Sequence, residues 1–205
     1  MTLPAGLETA ADLLARSGTH TALPVCAPLA GLLPLGGLER GRVHGVTGDA
    51  AISLVYALVA EATAQGAWCA FVDMPHAGLR AAHEHGVALQ RLVCIDTDRP
   101  SSWGRAVGAL VEGIDIVVVR DPACTQAEAR KVASRVKAQG AVLLVHGRPG
   151  PFPVDVHLSV RTQSWCFGAC ATDRTVGITV EGRRVPGRRT ATVLLPSVSG
   201  RAATA

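Results

Sequence analysis

The chain has 205 residues, of which 48% are hydrophobic, and a formal net charge of +4. This length supports one sizeable core, and the composition does not require a second full domain. No apolar run reaches the roughly 18 residues of a membrane span, and the amino-terminal segment lacks the early Lys or Arg of a secretory signal. We therefore expect a soluble cytoplasmic protein.

The positive charge is concentrated near the carboxyl end. Residues 161–205 contain seven Arg against Asp173 and Glu181, and the rest of the chain is close to neutral. Eighteen of the twenty cationic residues are Arg, which a GC-rich genome explains as well as a function does. A solvated, arginine-rich surface is the favoured interpretation.

Six cysteines are scattered along the chain, and we interpret them as small core residues in a reducing compartment. Cys69 and Cys94 lie inside apolar runs typical of strands. Cys166 and Cys170 have a spacing that approaches that of a zinc site, but no second cysteine pair accompanies them. We predict that these two share one face of a strand and are buried or half-buried.

The first 38 residues contain one predicted element. Residues 5–17 have the apolar spacing of a short amphipathic helix, with Leu7 and Leu14 on one stripe. Residues 18–38 are rich in Gly, Pro and Leu and have no helical period, which is typical of a linker lying on a surface.

Strands and helices alternate over residues 42–147, with short connections. The predicted strands are 42–47, 67–73, 91–97, 114–121 and 141–147, and the predicted helices are 50–66, 77–86, 103–113 and 126–140. The strands are continuous apolar runs, which indicates burial on both faces. This pattern predicts an α/β fold with a mostly parallel sheet covered by helices on both faces.

A different pattern follows Gly147. Strands predicted over 156–167, 175–182 and 188–196 are joined by tight turns, which indicates an antiparallel C-terminal extension of the sheet. The predicted organisation is an N-terminal helix and linker over 1–34, a core over 35–196 and a disordered tail over 197–205. Trp68, Trp103 and Trp165 are expected in the core, and the HEHG segment at 83–86 is expected to be a polar helix end.

Several segments together resemble the core of RecA-like recombinases. LGGLERGRVHGVTG, AWCAFVDMPHA, RLVCIDT, GIDIVVVRDP and AVLLVHGR occur in the order and spacing of that core over roughly residues 35–180. Each motif is weak alone, but their order is specific. The chain is most similar to ImuA-type RecA-related proteins, in particular the small actinobacterial form that accompanies ImuB. The resemblance implies a RecA-like fold.

The residues that would support RecA-type ATP turnover are missing. Around Gly48, Asp49 and Ser53 the loop has no second glycine, no Lys and no adjacent hydroxyl for magnesium, and it is about three residues short. Pro75 stands where the family has its catalytic Glu, and Arg120 stands where it has a magnesium-associated carboxylate. We expect no catalytic residues, no nucleotide cofactor and no metal. Ser53 is expected to bond to its own helix backbone, and Asp73 and His76 to form a turn.

The DNA-binding loops of the family are also short. They are reduced here to DPACT and GRPGPFPV, and aromatic residues make up only 3% of the chain. An arginine-rich end remains, which could make weak nonspecific DNA contact or meet an acidic partner. Its candidate contact residues are Arg183, Arg184, Arg188 and Arg189.

The resemblance implies a noncatalytic adaptor in the SOS response, acting in mutagenic translesion DNA synthesis. Its partner would be an ImuB-like Y-family polymerase homologue and, indirectly, an error-prone C-family polymerase and a sliding clamp, so that the complex would associate with the nucleoid. Leu7, Leu14 and the arginine-rich end are the candidate contacts. Two alternatives stay open: a SulA-like cell-division inhibitor and a residual DNA-binding ATPase.

Overall fold

A computed structural model describes residues 21–97, 100–122, 124–168 and 171–205. The helix predicted over 5–17, with Leu7 and Leu14, lies outside these residues. The strands are β1 Ala22–Pro24, β2 Gly37–Glu39, β3 Arg42–Gly48, β4 Cys69–Val72, β5 Leu92–Ile95, β6 Ile116–Arg120, β7 Val142–His146, β8 Val156–Phe167, β9 Ala171–Glu181, β10 Arg189–Leu194 and β11 Ala203–Thr204. The helices are α1 Ala27–Ala30, α2 Ala51–Ala64, α3 Leu79–Glu84, α4 Pro100–Leu110 and α5 Gln126–Gln139.

Within the described residues, nine strands form one sheet in the order β11-β10-β9-β8-β3-β7-β6-β4-β5. The six strands from β8 to β5 are parallel to one another. β9, β10 and β11 continue the sheet antiparallel. The predicted α/β class, with a mostly parallel sheet and an antiparallel C-terminal extension, is confirmed.

Helices cover both faces of the parallel part. α2 and α3 pack on one face, and α4 and α5 pack on the other. Val118 and Val119 are neighbours in β6, yet both are fully buried, one in each core. A strand covered on both faces has no position for a solvated side chain, which explains its continuous apolar run.

The segment before β3 differs from the predicted linker. β1 and β2 form a small antiparallel sheet, with α1 between them. Leu29, Leu33 and Leu38 are buried in the same core as α2. This segment covers the outer side of α2, which explains why α2 is apolar on most of its surface. The elements are too short to produce a period in the sequence.

The carboxyl end also differs from the prediction of a disordered tail over 197–205. Ala203 and Thr204 pair with Leu194 and Val193. The preceding turn is closed by the Ser197 N–H, which donates to the Arg201 carbonyl at 2.9 Å. The sequence predicts disorder here because a turn and a two-residue strand have almost no hydrophobic pattern.

The cysteine and tryptophan predictions hold only in part. Cys69 is fully buried, but Cys94 lies on edge strand β5 and is exposed. Cys166 is exposed rather than buried, and β8 ends at Phe167, the end predicted from the sequence. Cys170 itself lies outside the described residues. Trp103 is in the core, whereas Trp68 and Trp165 are 38% and 44% exposed.

The HEHG segment is not a purely polar helix end. His83 is exposed, but His85 is buried with its ring edge-on to Tyr56, at 5.5 Å between ring centroids. In the part of the chain that the structure describes, no helix is long and apolar enough to cross a membrane.

Candidate functional site

The strand-turn-helix at 42–64 has a very tight turn. β3 ends at Gly48, and only Asp49 and Ala50 precede α2. Gly48 has a φ of 118°, and a Cβ there would overlap the carbonyl oxygen of Val160 in β8. The glycine that matches the start of a phosphate loop is therefore required by the packing of two strands.

A cleft of about 320 Å³ opens beside this turn. It lies at the carboxyl ends of β3, β4, β6 and β7, the edge at which parallel α/β sheets bind ligands. Its lining residues are Gly48, Asp49, Ala51, Ile52, Met74, His76, Ala77, Arg120 and His146. Of these described lining residues, Arg120 is the one arginine, and none is lysine.

Asp49 and Ser53 are both bound by residues from the antiparallel side of the sheet. The Asp49 carboxylate accepts the Thr162 N–H at 2.9 Å. The Ser53 hydroxyl accepts from Arg174 at 2.7 Å, and this differs from the expected bond to its own helix. Both side chains therefore hold the start of α2 against β8 and β9.

Arg174 is the most extensively bonded cation of this region, and only 9% of its surface is exposed. It donates to the Leu195 carbonyl at 2.7 Å, and the Trp165 ring centroid lies 5.0 Å from its guanidinium carbon. Burial lowers the pKa of Arg174 below its usual value, and the charge of Asp49 opposes this shift only in part. Arg174 is not among the site residues predicted from the sequence, although it lies on the same inward face of β9 as Val176 and Ile178.

The loop after β4 presents no carboxylate to the cleft. Pro75 is exposed outside it, between Met74 and His76, which line it. Asp73 adopts a φ of 54°, and its carboxylate accepts the N–H and the hydroxyl of Thr97, each at 2.7 Å. Asp73 thus links the ends of β4 and β5, in keeping with the turn-forming role expected for it.

At the end of β6, the chain presents Arg120 to the cleft rather than its neighbouring acid. Asp121 adopts a φ of 36°, and its carboxylate accepts the Arg148 N–H at 2.7 Å. Asp121 therefore braces the loop after β7. His146 lines the same cleft, and burial, followed by the charge of Arg120, lowers its pKa despite an opposing effect of Asp121.

The arginine-rich end divides into two groups. Arg184 pairs with Glu39 at 2.8 Å, and Arg189 donates to the Leu33 carbonyl at 3.2 Å. Both attach the β9–β10 region to the segment before β3. Arg183 and Arg188 are exposed. Arg184 is exposed as well, so three of the four predicted contact residues lie on the surface, while Arg184 and Arg189 make the internal contacts.

Comparison with known proteins identifies the family. Residues 31–152 match the family described as the MT3502 N-terminal domain, which is more than half of the chain. The chain belongs to the MT3502 family. The match covers β2 to β7 and the whole cleft lining, but it ends before Trp165 and Arg174.

One curated protein and one solved structure are among those similar to the chain. The chain is 37% identical over 118 residues to the uncharacterized protein Rv3395c of Mycobacterium tuberculosis (strain ATCC 25618 / H37Rv), and the match spans 56% of each chain. The crystal structure of the RadB recombinase superposes with a TM-score of 0.65 at 14% identity, covering 87% of this chain and 97% of that one. The RecA-like fold is thereby confirmed.

Proposed function

We propose that this protein is a noncatalytic RecA-like adaptor that works through protein–protein contacts. The observation that carries the proposal is the end of β6. Arg120 lines the cleft where the resemblance places a magnesium-associated carboxylate, and the Asp121 carboxylate accepts the Arg148 N–H and lies 3.6 Å from the Arg120 guanidinium. A cation at that position opposes binding of Mg²⁺.

The rest of the cleft supports the same proposal. A phosphate loop presents a series of backbone N–H groups and a Lys to the phosphates. Here the turn contains two residues, and the hydroxyl of Ser53, near the start of α2, is bonded to Arg174. A RecA-like domain can lose these groups and still keep the outer surfaces that contact other proteins. Such contacts are all that an adaptor needs.

The partner follows from the resemblance to ImuA-type proteins. We propose an ImuB-like Y-family polymerase homologue, through which an error-prone C-family polymerase and a sliding clamp would be reached during mutagenic translesion synthesis. Arg183 and Arg188 are exposed and are available for weak, nonspecific contact with DNA phosphates.

Co-elution tests the choice of partner. The full chain is mixed with the ImuB-like homologue of the same organism or with its tubulin-like division protein, and each mixture is analysed by gel filtration with light scattering. We expect a complex with the homologue alone. A complex with the division protein alone would instead support the SulA-like alternative.

Calorimetry tests the remaining alternative, a residual ATPase. ATP with magnesium is titrated into the full chain, and the Arg120→Asp variant serves as a matched comparison. We expect no heat of binding from the natural chain. Micromolar binding by it would contradict the noncatalytic proposal, whatever the variant does.

A further inference from the structure

Helices α4 and α5 carry a local excess of positive charge on one face of the sheet. They contain five cationic side chains and one carboxylate. The cations are Arg105, Arg130, Lys131, Arg135 and Lys137. Residues 1–160 are close to neutral overall, so acids elsewhere in that range balance this excess. We call the outer side of these two helices, with its five cations, the α4–α5 face.

The four cations of α5 lie on two flanks of its exposed side. Arg130 and Lys137 are two helical turns apart on one flank, and both are exposed. Lys131 and Arg135 are one turn apart on the other flank. Three short, exposed side chains form a crest between the flanks: Ala127, Ser134 and Ala138. The helix thus presents two rows of positive charge with room for a close approach between them.

Contacts with α4 hold the second flank in place. A Cβ at Gly108 of α4 would collide with the Arg135 guanidinium, and a Cβ at Gly104 would contact the Glu128 side chain. Arg135 therefore crosses α4 at a glycine, where it is half-buried. Arg105 follows Gly104 and is exposed, so α4 adds a fifth cation to the face.

The positive charge of this face is not neutralised within the part of the chain that the structure describes. None of the ion pairs found there involves any of the five cations. The single acid of the two helices, Glu128, accepts the Thr125 N–H and hydroxyl, each at 2.8 Å, in the N-terminal cap of α5. A surface of this kind attracts an anionic partner.

The side chains of the α4–α5 face favour nucleic acid over a protein as that partner. Protein interfaces are anchored by aromatic and other large apolar side chains. In the described residues, none of the exposed large apolar side chains belongs to α4 or α5. A phosphate backbone needs cations and neighbouring side chains short enough not to obstruct it, and this face offers both.

The two flanks suit the two strands of a duplex. With 14 residues, α5 is about 21 Å long. The major groove of B-DNA is about 12 Å wide and admits an α-helix. A helix with cations on both flanks can then contact phosphates of both strands at once. The crest offers only Ala127, Ser134 and Ala138, which cannot make the bidentate bonds that distinguish bases, so binding would be independent of sequence.

We propose that the α4–α5 face binds duplex DNA without sequence preference, through contacts of its cations with phosphates of both strands. The main DNA contact is then on this face rather than at the arginine-rich end. Binding requires neither a nucleotide nor the polymerase homologue. Co-elution of the homologue without DNA tests the adaptor function separately, so either proposal can fail while the other stands.

Fluorescence anisotropy with a labelled duplex of about 20 base pairs measures this binding. The full chain is titrated at low salt, and the titration is repeated at increasing salt concentrations. We expect saturable binding, with a slope of log affinity against log salt of about −4, since each neutralised phosphate contributes about −0.9. Absence of saturable binding would overturn the proposal. Equally tight binding of a single strand of the same length would also overturn it, because a single strand has one row of phosphates.

Two variants that each lose four charges locate the contact. One replaces the four cations of α5 by Gln. The other replaces four exposed arginines near the carboxyl end by Gln: Arg161, Arg183, Arg188 and Arg201. We expect the α5 variant to bind the duplex roughly tenfold more weakly or worse, with a much smaller salt slope, and the matched variant to lose less than about threefold. An equal or larger loss in the matched variant would overturn the proposal.

A milder variant separates loss of binding from loss of folding. Arg130→Gln with Lys137→Gln changes two exposed side chains and leaves Arg135 at Gly108. We expect the magnitude of the salt slope to fall by about 2, with the thermal unfolding temperature unchanged. An unchanged slope would contradict the assignment of these two cations to phosphates and overturn the proposal.

Polyglutamate tests an acidic protein as the occupant. It is added to the complex of the natural chain with the labelled duplex, and unlabelled duplex of equal total charge is the control. We expect polyglutamate to displace the label much less than the duplex does, because its carboxylates do not form two rigid rows. Equal displacement would indicate an acidic peptide as the partner and overturn the proposal.

Discussion

Arg174 joins three parts of the molecule through one buried guanidinium. It reaches from β9 to Ser53 at the start of α2 and to the carbonyl of Leu195 beyond β10, and it lies beside the Trp165 ring. Removing one member of a buried polar set leaves the others without partners, which costs more than the net value of the bond itself.

Arg174→Met is therefore expected to lower the free energy of unfolding by about 2 kcal/mol. The Leu195 carbonyl and the Ser53 hydroxyl would lose their donor, while the methylene stem of the side chain would be kept. Urea denaturation measures the difference. Arg161→Met, at an exposed position of β8, should change stability by less than about 0.5 kcal/mol. Equal effects of the two variants would contradict this role.

Gly48 allows a close approach of two strands. Gly48→Ala is expected to destabilise the protein by about 2–4 kcal/mol, because the new methyl group would collide with the Val160 carbonyl in addition to straining the backbone. Gly66→Ala is the matched control, since Gly66 has a φ of 102° with nothing within 4 Å. It should cost only about 1 kcal/mol. If urea denaturation gave the same loss of unfolding free energy for both variants, the predicted collision at residue 48 would be contradicted.

Glu39 joins β2 to β3 and to the β9–β10 turn. Its carboxylate accepts from Arg42 at 2.9 Å and from Arg184 at 2.8 Å. Burial raises the pKa of Glu39, but hydrogen bonds from Arg184 and Arg42 together outweigh burial and lower it. A carboxyl group with a lowered pKa in the folded state stabilises the protein above its unfolded pKa and loses this contribution as the pH falls.

Glu39→Gln should accordingly be less stable than the natural chain at pH 7. The difference should shrink as the pH falls from about 5 to about 3, because the natural carboxylate is protonated there. Thermal unfolding at several pH values measures this. Glu181→Gln, at an exposed end of β9, serves as the control and should lower the stability at pH 7 much less than Glu39→Gln does. A constant Glu39→Gln deficit down to pH 3 would contradict the ion-pair explanation.

The carboxyl-terminal turn and β11 should contribute to stability. Truncation after Pro196 removes the buried Ser197 and the pairing of Ala203 and Thr204 with β10. We expect a loss of about 1–2 kcal/mol in urea denaturation. Removing Ala205 alone should have no effect. If the truncated chain were as stable as the full chain, this prediction would be contradicted and the disordered tail expected from the sequence would be supported.

The long elements were predictable and the short ones were not. Strands β4 to β7 and the helices between them are apolar runs long enough to be recognised by pattern, and the structure places the strands within two residues of their predicted bounds. The segment from β1 to β2 and the strand β11 have only two to four residues per element. Their burial depends on neighbours that are distant in sequence, which no local pattern records.

The candidate site was predictable as a set of losses. The missing Lys, the Pro75 substitution and the Arg120 substitution are visible in the sequence. The replacement contacts are not, because Arg174 meets Ser53 across 121 residues of chain. The placement of Trp165 opposite Arg174 follows from a register shift between Thr162 and Ser164, which no local sequence pattern records.

The molecule as a whole has a RecA-like sheet. At the carboxyl ends of its parallel strands, where such sheets bind ligands, the polar side chains bond to other parts of the chain. Asp49, Ser53, Asp73 and Asp121, all at that edge, are bonded to other segments of the chain. We propose that a fold held in this way needs no nucleotide to complete it. We therefore expect partner binding to be independent of ATP, unlike the behaviour of a nucleotide-dependent switch.

One titration tests this most directly. The full chain is titrated calorimetrically into the ImuB-like polymerase homologue, with and without ATP and magnesium. The account predicts a complex of the same affinity in both buffers. Absence of a complex without ATP, or an affinity that rises tenfold or more when ATP and magnesium are added, would contradict it.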